Sequence, residues 1–498
     1  MGNSNKKLFW ACFIALMATS FGFMIRALLI TEWGKTFNLT NTQMGQIMGV
    51  GLWPFAITIV LFSLIIDKIG YGRAMIFAFI CHIASAIITI SANGYTMLYI
   101  GTFIVALGNG TVEAVINPAV ATIFPENKTK WLNILHAGWP AGFVLVGLLA
   151  LAMGPDVHWQ IKVGLIFIPI IIYGIMMLRL KFPVNERVQA GVPYLDMLKE
   201  VGIIGALIIV SMMVMEVGNV FDFSTFLTIA LIVVIVGVYG FFVRTLGQPL
   251  FIFLLLIMFP LATTELGIDS WIVDLMTPEM KKLGLEAGWL LVYTSAIMMV
   301  CRFFAGTFVK KLTPLGLLAV GSALAAGGLM FLSVSTGILI LIAATIYGFA
   351  KSFFWPTMIG IVGERFPKGG ALTLNITTGV GMIGVGIVGA VFLGFAQDKT
   401  IDRDINSYDL VNNTQLHVRY LTDTKKSILG EYKALNQQEM VKAEPEEKKI
   451  LENIKDNAKK GALKSVAILP VIMLICYVVL MIYFKSKGGY KHVDISEA

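Results

Sequence analysis

Apolar residues in this chain come in unbroken blocks of about twenty, divided by short polar stretches. They do not alternate with polar residues. A helix needs ~20 apolar residues to cross the hydrocarbon of a bilayer. With that length as the measure, fourteen spans are predicted. The first six are 8–30, 44–66, 74–93, 96–123, 132–153 and 160–181. Two more follow at 201–221 and 224–243, and the last six are 249–273, 287–309, 315–333, 338–362, 371–396 and 465–484. Lipid leaves only helices or closed barrels as spanning structures, and runs this long without alternation are helices.

Composition supports the pattern. The chain has 498 residues, 57% hydrophobic and only 14% charged, whereas a soluble domain is about 25% charged. A soluble multidomain enzyme is excluded. The net charge of +8 does not point to nucleic acid, because its distribution is topological. With the N-terminus inside, the short inner segments hold eighteen Lys/Arg and the short outer ones only Lys35, Lys162, Lys281 and Lys282, so both termini are expected in the cytoplasm. The apolar run 8–30 is too long for a cleavable signal and is read as the first span. Cys12, Cys81, Cys301 and Cys476 each lie in apolar runs and read as small core residues. Residues 397–464 break the rhythm. They carry thirteen basic and twelve acidic residues, fall outside by parity, and from Thr424 to Gly461 suggest two exposed helices interrupted by Pro445.

The two halves of the chain repeat. The fourth span ends Glu113-Ala-Val-Ile-Asn117-Pro118, then Phe124-Pro125 and Leu132-Asn133. The twelfth ends Lys351-Ser-Phe-Phe-Trp355-Pro356, then Phe366-Pro367 and Leu374-Asn375. Aligning the prolines puts Glu113 and Lys351 at equivalent places. The loop Asp67-Lys68-Ile-Gly70-Tyr-Gly72-Arg73 and, in the second half, Arg302 with Phe303, Phe304 and Gly306 resemble the loop motifs of the major facilitator superfamily. Val112–Pro118, Leu132–Ala137, Thr264–Trp271 and Ser352–Thr357 are similar to segments of its fucose–proton symporter group. That resemblance implies an all-α membrane fold of two six-helix halves, here with two extra central helices. It also implies a bacterial inner-membrane location and sugar–proton symport. Two departures stand out. The first span carries Arg26 rather than an evident acidic residue, and Lys351 stands where a neutral polar residue is usual.

The organisation expected is an N-terminal half (1–182), a cytoplasmic linker with two extra spans (183–248), a C-terminal half (249–396 and 465–498) and an extracytoplasmic charged insert (397–464). Charges at membrane depth carry the chemistry, since each costs about 2.5–3.5 kcal/mol to insert and is normally paired or faces water. The candidates for substrate or proton binding are Arg26, Glu113, Asn117, Glu265, Lys351 and Trp355. Asp269 could serve beside them or simply be solvated near the surface. Glu113 would accept from a substrate hydroxyl or carry the coupled proton, and a Glu113–Lys351 pair is one arrangement. Lys351 and Arg26 could each hold a carboxylate, or Arg26 could pair with Glu265. Asp67, Gly70, Arg73 and Arg302 are expected to lock the inner interface rather than touch substrate. Trp53, Phe55, Trp139, Trp271 and Trp355 offer flat faces for stacking on a sugar ring. No phosphate-cradling loop, metal-ligand spacing or nucleophile triad occurs, so no cofactor, metal or enzyme activity is expected. The expected protein is a monomeric secondary transporter of a sugar, sugar acid or other organic anion driven by protons. The rival is a membrane sensor built on a transporter scaffold.

Overall fold

The computed structural model describes residues 3–495 apart from 40, 155, 387–389, 428–429, 437–438 and 441. Among the described residues, twelve helical segments are long and apolar enough to cross a membrane. The shorter helices Gly288–Phe303 and Gly370–Gly384 supply the other two expected crossings. The end of the span predicted at 371–396 lies partly outside the described residues.

Within the first half, Asn3–Thr36 packs on Gly138–Ala152 and Phe167–Met177, and Tyr71–Ile90 packs along Tyr95–Ile123. Within the second, Ala305–Val334 joins Leu339–Lys351 to the last helix, Ile468–Ser486. The extra helices Tyr194–Val220 and Thr225–Val243 pair with each other. The former also lies on Gly370–Gly384, whereas the latter is exposed along most of its length, as an apolar helix facing lipid would be.

The halves meet where Trp53–Ile69 lies on Gly370–Gly384, and where Lys128–His136 lies on Phe354–Arg365. The second contact depends on Gly360, where any Cβ would sit 2.4 Å from Thr129 Oγ1. Such close approach through a small residue is how helices associate in lipid. Phe9 packs on Phe124 and Trp131, and the Val493 N–H donates to the Glu364 carbonyl. Both chain ends therefore lie at the same face, called the terminal side below.

At the terminal side the linker is wedged under both halves. Lys128 Nζ bonds Glu186 at 2.6 Å and the Gly363 carbonyl at 3.2 Å. Asp67 pairs with Arg187 of the linker, while Arg73 is exposed. The turn at Gly70 has φ +80°, a conformation that glycine adopts without strain, and it sends Arg73 along the outside of the next helix. Thr129 donates from its N–H (3.1 Å) and hydroxyl (2.6 Å) to Glu364, whose other oxygen accepts from Tyr490.

The charged insert departs from expectation. The helix Ala390–Asn412 runs out of the bundle, followed by a short helix Leu416–Tyr420 and a hairpin of β1 (Lys425–Ser427) with β2 (Gly430–Tyr432). One helix, Pro445–Val466, then leads back into the bundle. Pro445 does not interrupt a helix here; it starts one, at the first-turn position where its missing N–H is no loss. Ile401, Ile405, Leu416, Tyr420, Leu451 and Ile454 close a small core, so this is a folded cap rather than two solvated helices.

Candidate functional site

Near the middle of the bundle, a small cavity of about 30 Å³ is lined by Phe55, Glu113, His136 and Trp139 from the first half and by Glu265, Leu266, Arg302, Trp355 and Met382 from the second.

Local irregularities in the helices position the wall. The helix from Pro249 contains Pro260, and three residues later its backbone winds into a single π turn at Thr263–Gly267, with Thr264 Oγ1 donating to the Pro260 carbonyl. Such insertions frequently mark functional sites. This one presents Glu265 to the cavity. The fifth span is broken between His136 and Gly138, which leaves the His136 carbonyl free to accept from another residue.

The polar groups form one connected chain across the two halves. Asn117 Nδ2 donates to Glu113 Oε2 at 2.5 Å, and His136 Nε2 donates to Asn117 Oδ1 at 2.9 Å. The His136 carbonyl accepts from Arg302 at 2.8 Å. Arg302 also donates to the Ser352 carbonyl (2.6 Å) and forms an ion pair with Glu265 at 2.6 Å. The second Glu265 oxygen accepts the Trp355 N–H at 3.0 Å. Glu113, Arg302 and Glu265 are each at most 3% exposed, so the network replaces water almost completely.

Of the candidates read from the sequence, Glu113, Asn117, Glu265 and Trp355 are brought together here, with Phe55 and Trp139 as flat walls. Arg302, expected only at the inner interface, lines the cavity and also binds across it. His136 and Met382 were not singled out as site residues; the motif containing His136 was the available signal. Lys351 does not pair with Glu113. Fully buried, it pairs with Asp269 and lies 5.2 Å over the Tyr347 ring. Lys351 and Asp269 belong to neighbouring helices of the same half, which is the shorter reach. Arg26 does not meet Glu265 either. Its side chain lies 5.3 Å from the Phe23 ring and lines a different cavity, inside the first half. Trp53 packs on Phe103, and Trp271 is not part of the central wall.

The family model for the Major Facilitator Superfamily matches residues 11–393. Among curated proteins, the chain is 25% identical over 176 residues to the cis,cis-muconate transport protein of Acinetobacter baylyi, covering 34% of this chain and 42% of that one. It is 28% identical over 104 residues to the L-fucose-proton symporter of Escherichia coli, covering 20% of this chain and 24% of that one. The chain thus matches less than half the length of these relatives. Among solved structures, the E. coli fucose:proton symporter aligns over 95% of this chain and 98% of its own, at 14% identity and TM-score 0.58. The human organic anion transporter MFSD10 aligns over 96% and 100%, at 10% identity and TM-score 0.62. At these identities the likeness establishes the fold.

Proposed function

Because the chain belongs to the Major Facilitator Superfamily and is therefore a transporter rather than an enzyme, we propose that it is a secondary active symporter moving a neutral sugar together with a proton. One observation carries this reading: among the described residues, the cations near the centre, Arg302 and Lys351, are each matched by a carboxylate of their own half, and Glu113 is in neither pair. Arg302 is matched by Glu265 and Lys351 by Asp269, while Glu113 is held by the neutral Asn117.

An unmatched carboxylate away from water is costly. A proton on Glu113 removes that charge and leaves a net-neutral, aromatic-walled cavity whose lining suits an uncharged hydroxylated ring once the rocking of the halves widens it. Trp139, Trp355 and Phe55 supply the flat contacts, while Glu113 and Glu265 supply acceptors for hydroxyls. Alternating access then rocks the halves about this cavity. The bond from Arg302 to the His136 carbonyl joins the two halves within the cavity wall, so its making and breaking ties occupancy to the rocking. In this reading the terminal side faces the cytoplasm, as the positive-inside count expects, and the membrane is the bacterial inner membrane.

A second reading, transport of an organic or sugar acid, is favoured by Arg302 facing the cavity and by the muconate relative. An acid would have to compete with Glu265 for the guanidinium. Thermal unfolding of the purified protein with neutral sugars and with their uronates separates the two. The account expects saturable stabilisation by a neutral sugar, abolished in Trp355→Ala. Stabilisation by acids alone, lost in Arg302→Gln, would favour the second reading.

A further inference from the structure

The first half contains a second cavity, separate from the central one. About 30 Å³ in volume, it is lined by Gly22, Ile25, Arg26 and Trp33 of the first helix, Ser85, Ala86 and Thr89 of the third span, Thr102 and Val105 of the fourth, and Val163 and Ile166 of the sixth. Arg26 is 4% exposed, yet among the described residues it has no ion pair, and its Nε is buried without a hydrogen-bond partner. Trp33, 2% exposed on the same wall, has a buried Nε1 that also lacks a partner. Both orphan groups are donors. A buried cation normally keeps a counter-charge or water at membrane depth, and two unmet donors in one cavity require an acceptor.

The guanidinium is held where it is. It lies against the Phe23 ring and over Gly51, where a Cβ would come within 2.5 Å of Nη2 and 2.9 Å of Cζ. Ser85, Thr89 and Thr102 add hydroxyls to an otherwise aliphatic wall. Arg26 stands ten residues before the end of the helix Asn3–Thr36, about 15 Å at 1.5 Å per residue, so the cavity is nearer the face opposite the termini. We infer that this cavity binds a compact monovalent anion that supplies Arg26 with its counter-charge and accepts the Trp33 indole N–H.

The site differs from the central cavity in position and in charge, since among the described residues its lining has a cation and no carboxylate. Its occupant sets the charge of the first helix and fixes that helix to the third, fourth and sixth spans. A neutral sugar carries no charge to match Arg26. Halide and small carboxylate share the required chemistry, so the test separates them.

The experiment is thermal unfolding of the full-length purified protein at constant ionic strength, replacing sodium gluconate stepwise with chloride, nitrate or formate. Binding to the folded state raises the melting temperature by mass action. The expected result is a rise of about 2 °C or more that saturates with a compact anion. Chloride and nitrate acting without formate identifies an inorganic anion, and formate alone a small carboxylate. The half-saturating concentration should rise at least tenfold in Arg26→Gln and several-fold in Trp33→Phe, and should be unchanged in Glu113→Gln. If Arg26→Gln does not fold, Gly51→Ala takes its place, since the added methyl occupies the position of the guanidinium. No saturable rise with any of the three anions would overturn the proposal. So would a rise that survives Arg26→Gln, or Gly51→Ala where that variant serves instead.

Discussion

Glu364 is the joint that keeps the terminal side closed, and its removal has a magnitude that follows from the bonds it accepts. The carboxylate takes the N–H and hydroxyl of Thr129 from the opposite half, and the Tyr490 hydroxyl from the C-terminal segment. Hydrogen bonds to a charged group contribute about 1.5–3 kcal/mol, against about 0.5–1.5 for neutral ones. Glu364→Gln keeps an acceptor for Thr129 but removes the charge, so each buried Thr129 bond loses about 1 kcal/mol; the partly wet Tyr490 bond loses less. The closed arrangement should therefore weaken by about 2 kcal/mol, or about 30-fold in the closed-to-open ratio. The reporter is Ala121→Cys, whose side chain lines a small cavity beside Lys128 and Glu186, in a background lacking the four native cysteines. Alkylation by a small maleimide should accelerate about 30-fold in Glu364→Gln. Thr129→Val, which removes one bond only, should give a smaller acceleration. A labelling rate within about twofold of the parent would refute the assignment of Glu364 as a closing contact.

Two further outcomes follow. Glu265→Gln alone leaves Arg302 buried without its carboxylate and should destabilise by about 3–5 kcal/mol; adding Arg302→Gln should restore much of the loss, read as a non-additive double-mutant cycle in thermal unfolding. Additive losses would mean that the pair is not coupled. In the cap, burial raises the Asp409 carboxyl, but hydrogen bonds from the Thr414 hydroxyl and the His417 and Leu416 N–H groups outweigh it and hold the group below its ordinary value of 3.8. A depressed carboxyl stabilises the fold above its unfolded value, and that contribution is lost as pH falls through the folded one. Pepsin should therefore cut the insert progressively faster as pH drops below about 3.8, with a flatter profile in Asp409→Asn; an equal pH profile in the two proteins would contradict this.

The spans were legible because lipid imposes a single length and composition on each, whatever the neighbours. The internal repeat proved informative in detail. Asn133 and Asn375, which occupy matching positions, each donate across to the opposite half, to Thr357 Oγ1 at 3.1 Å and to the Ala114 carbonyl at 3.2 Å. That the buried charges matter was also readable, since insertion cost marks them. Their partners were not. Pairing of Lys351 with Asp269 rather than Glu113, and of Glu265 with Arg302 rather than Arg26, depends on helix rotation and on the π turn at Thr263–Gly267. Neither leaves a trace in hydropathy. The linker residue Arg187 pairs with Asp67 across 120 positions, and nothing in a local motif forecasts that choice. In the insert, charge composition suggested solvated helices, whereas a few spaced apolar residues were enough to close a core.

The central claim is that Glu113 carries the coupled proton for an uncharged substrate. Currents on a solid-supported membrane test it most directly, because symport of a neutral sugar with a proton moves net charge although the sugar has none. Reconstituted protein given a pulse of its stabilising sugar without a pH gradient should yield a sustained inward positive current. Glu113→Gln should abolish that current while still exchanging labelled for unlabelled sugar, since exchange moves no net proton. A sustained current in Glu113→Gln equal to that of the parent would contradict the account.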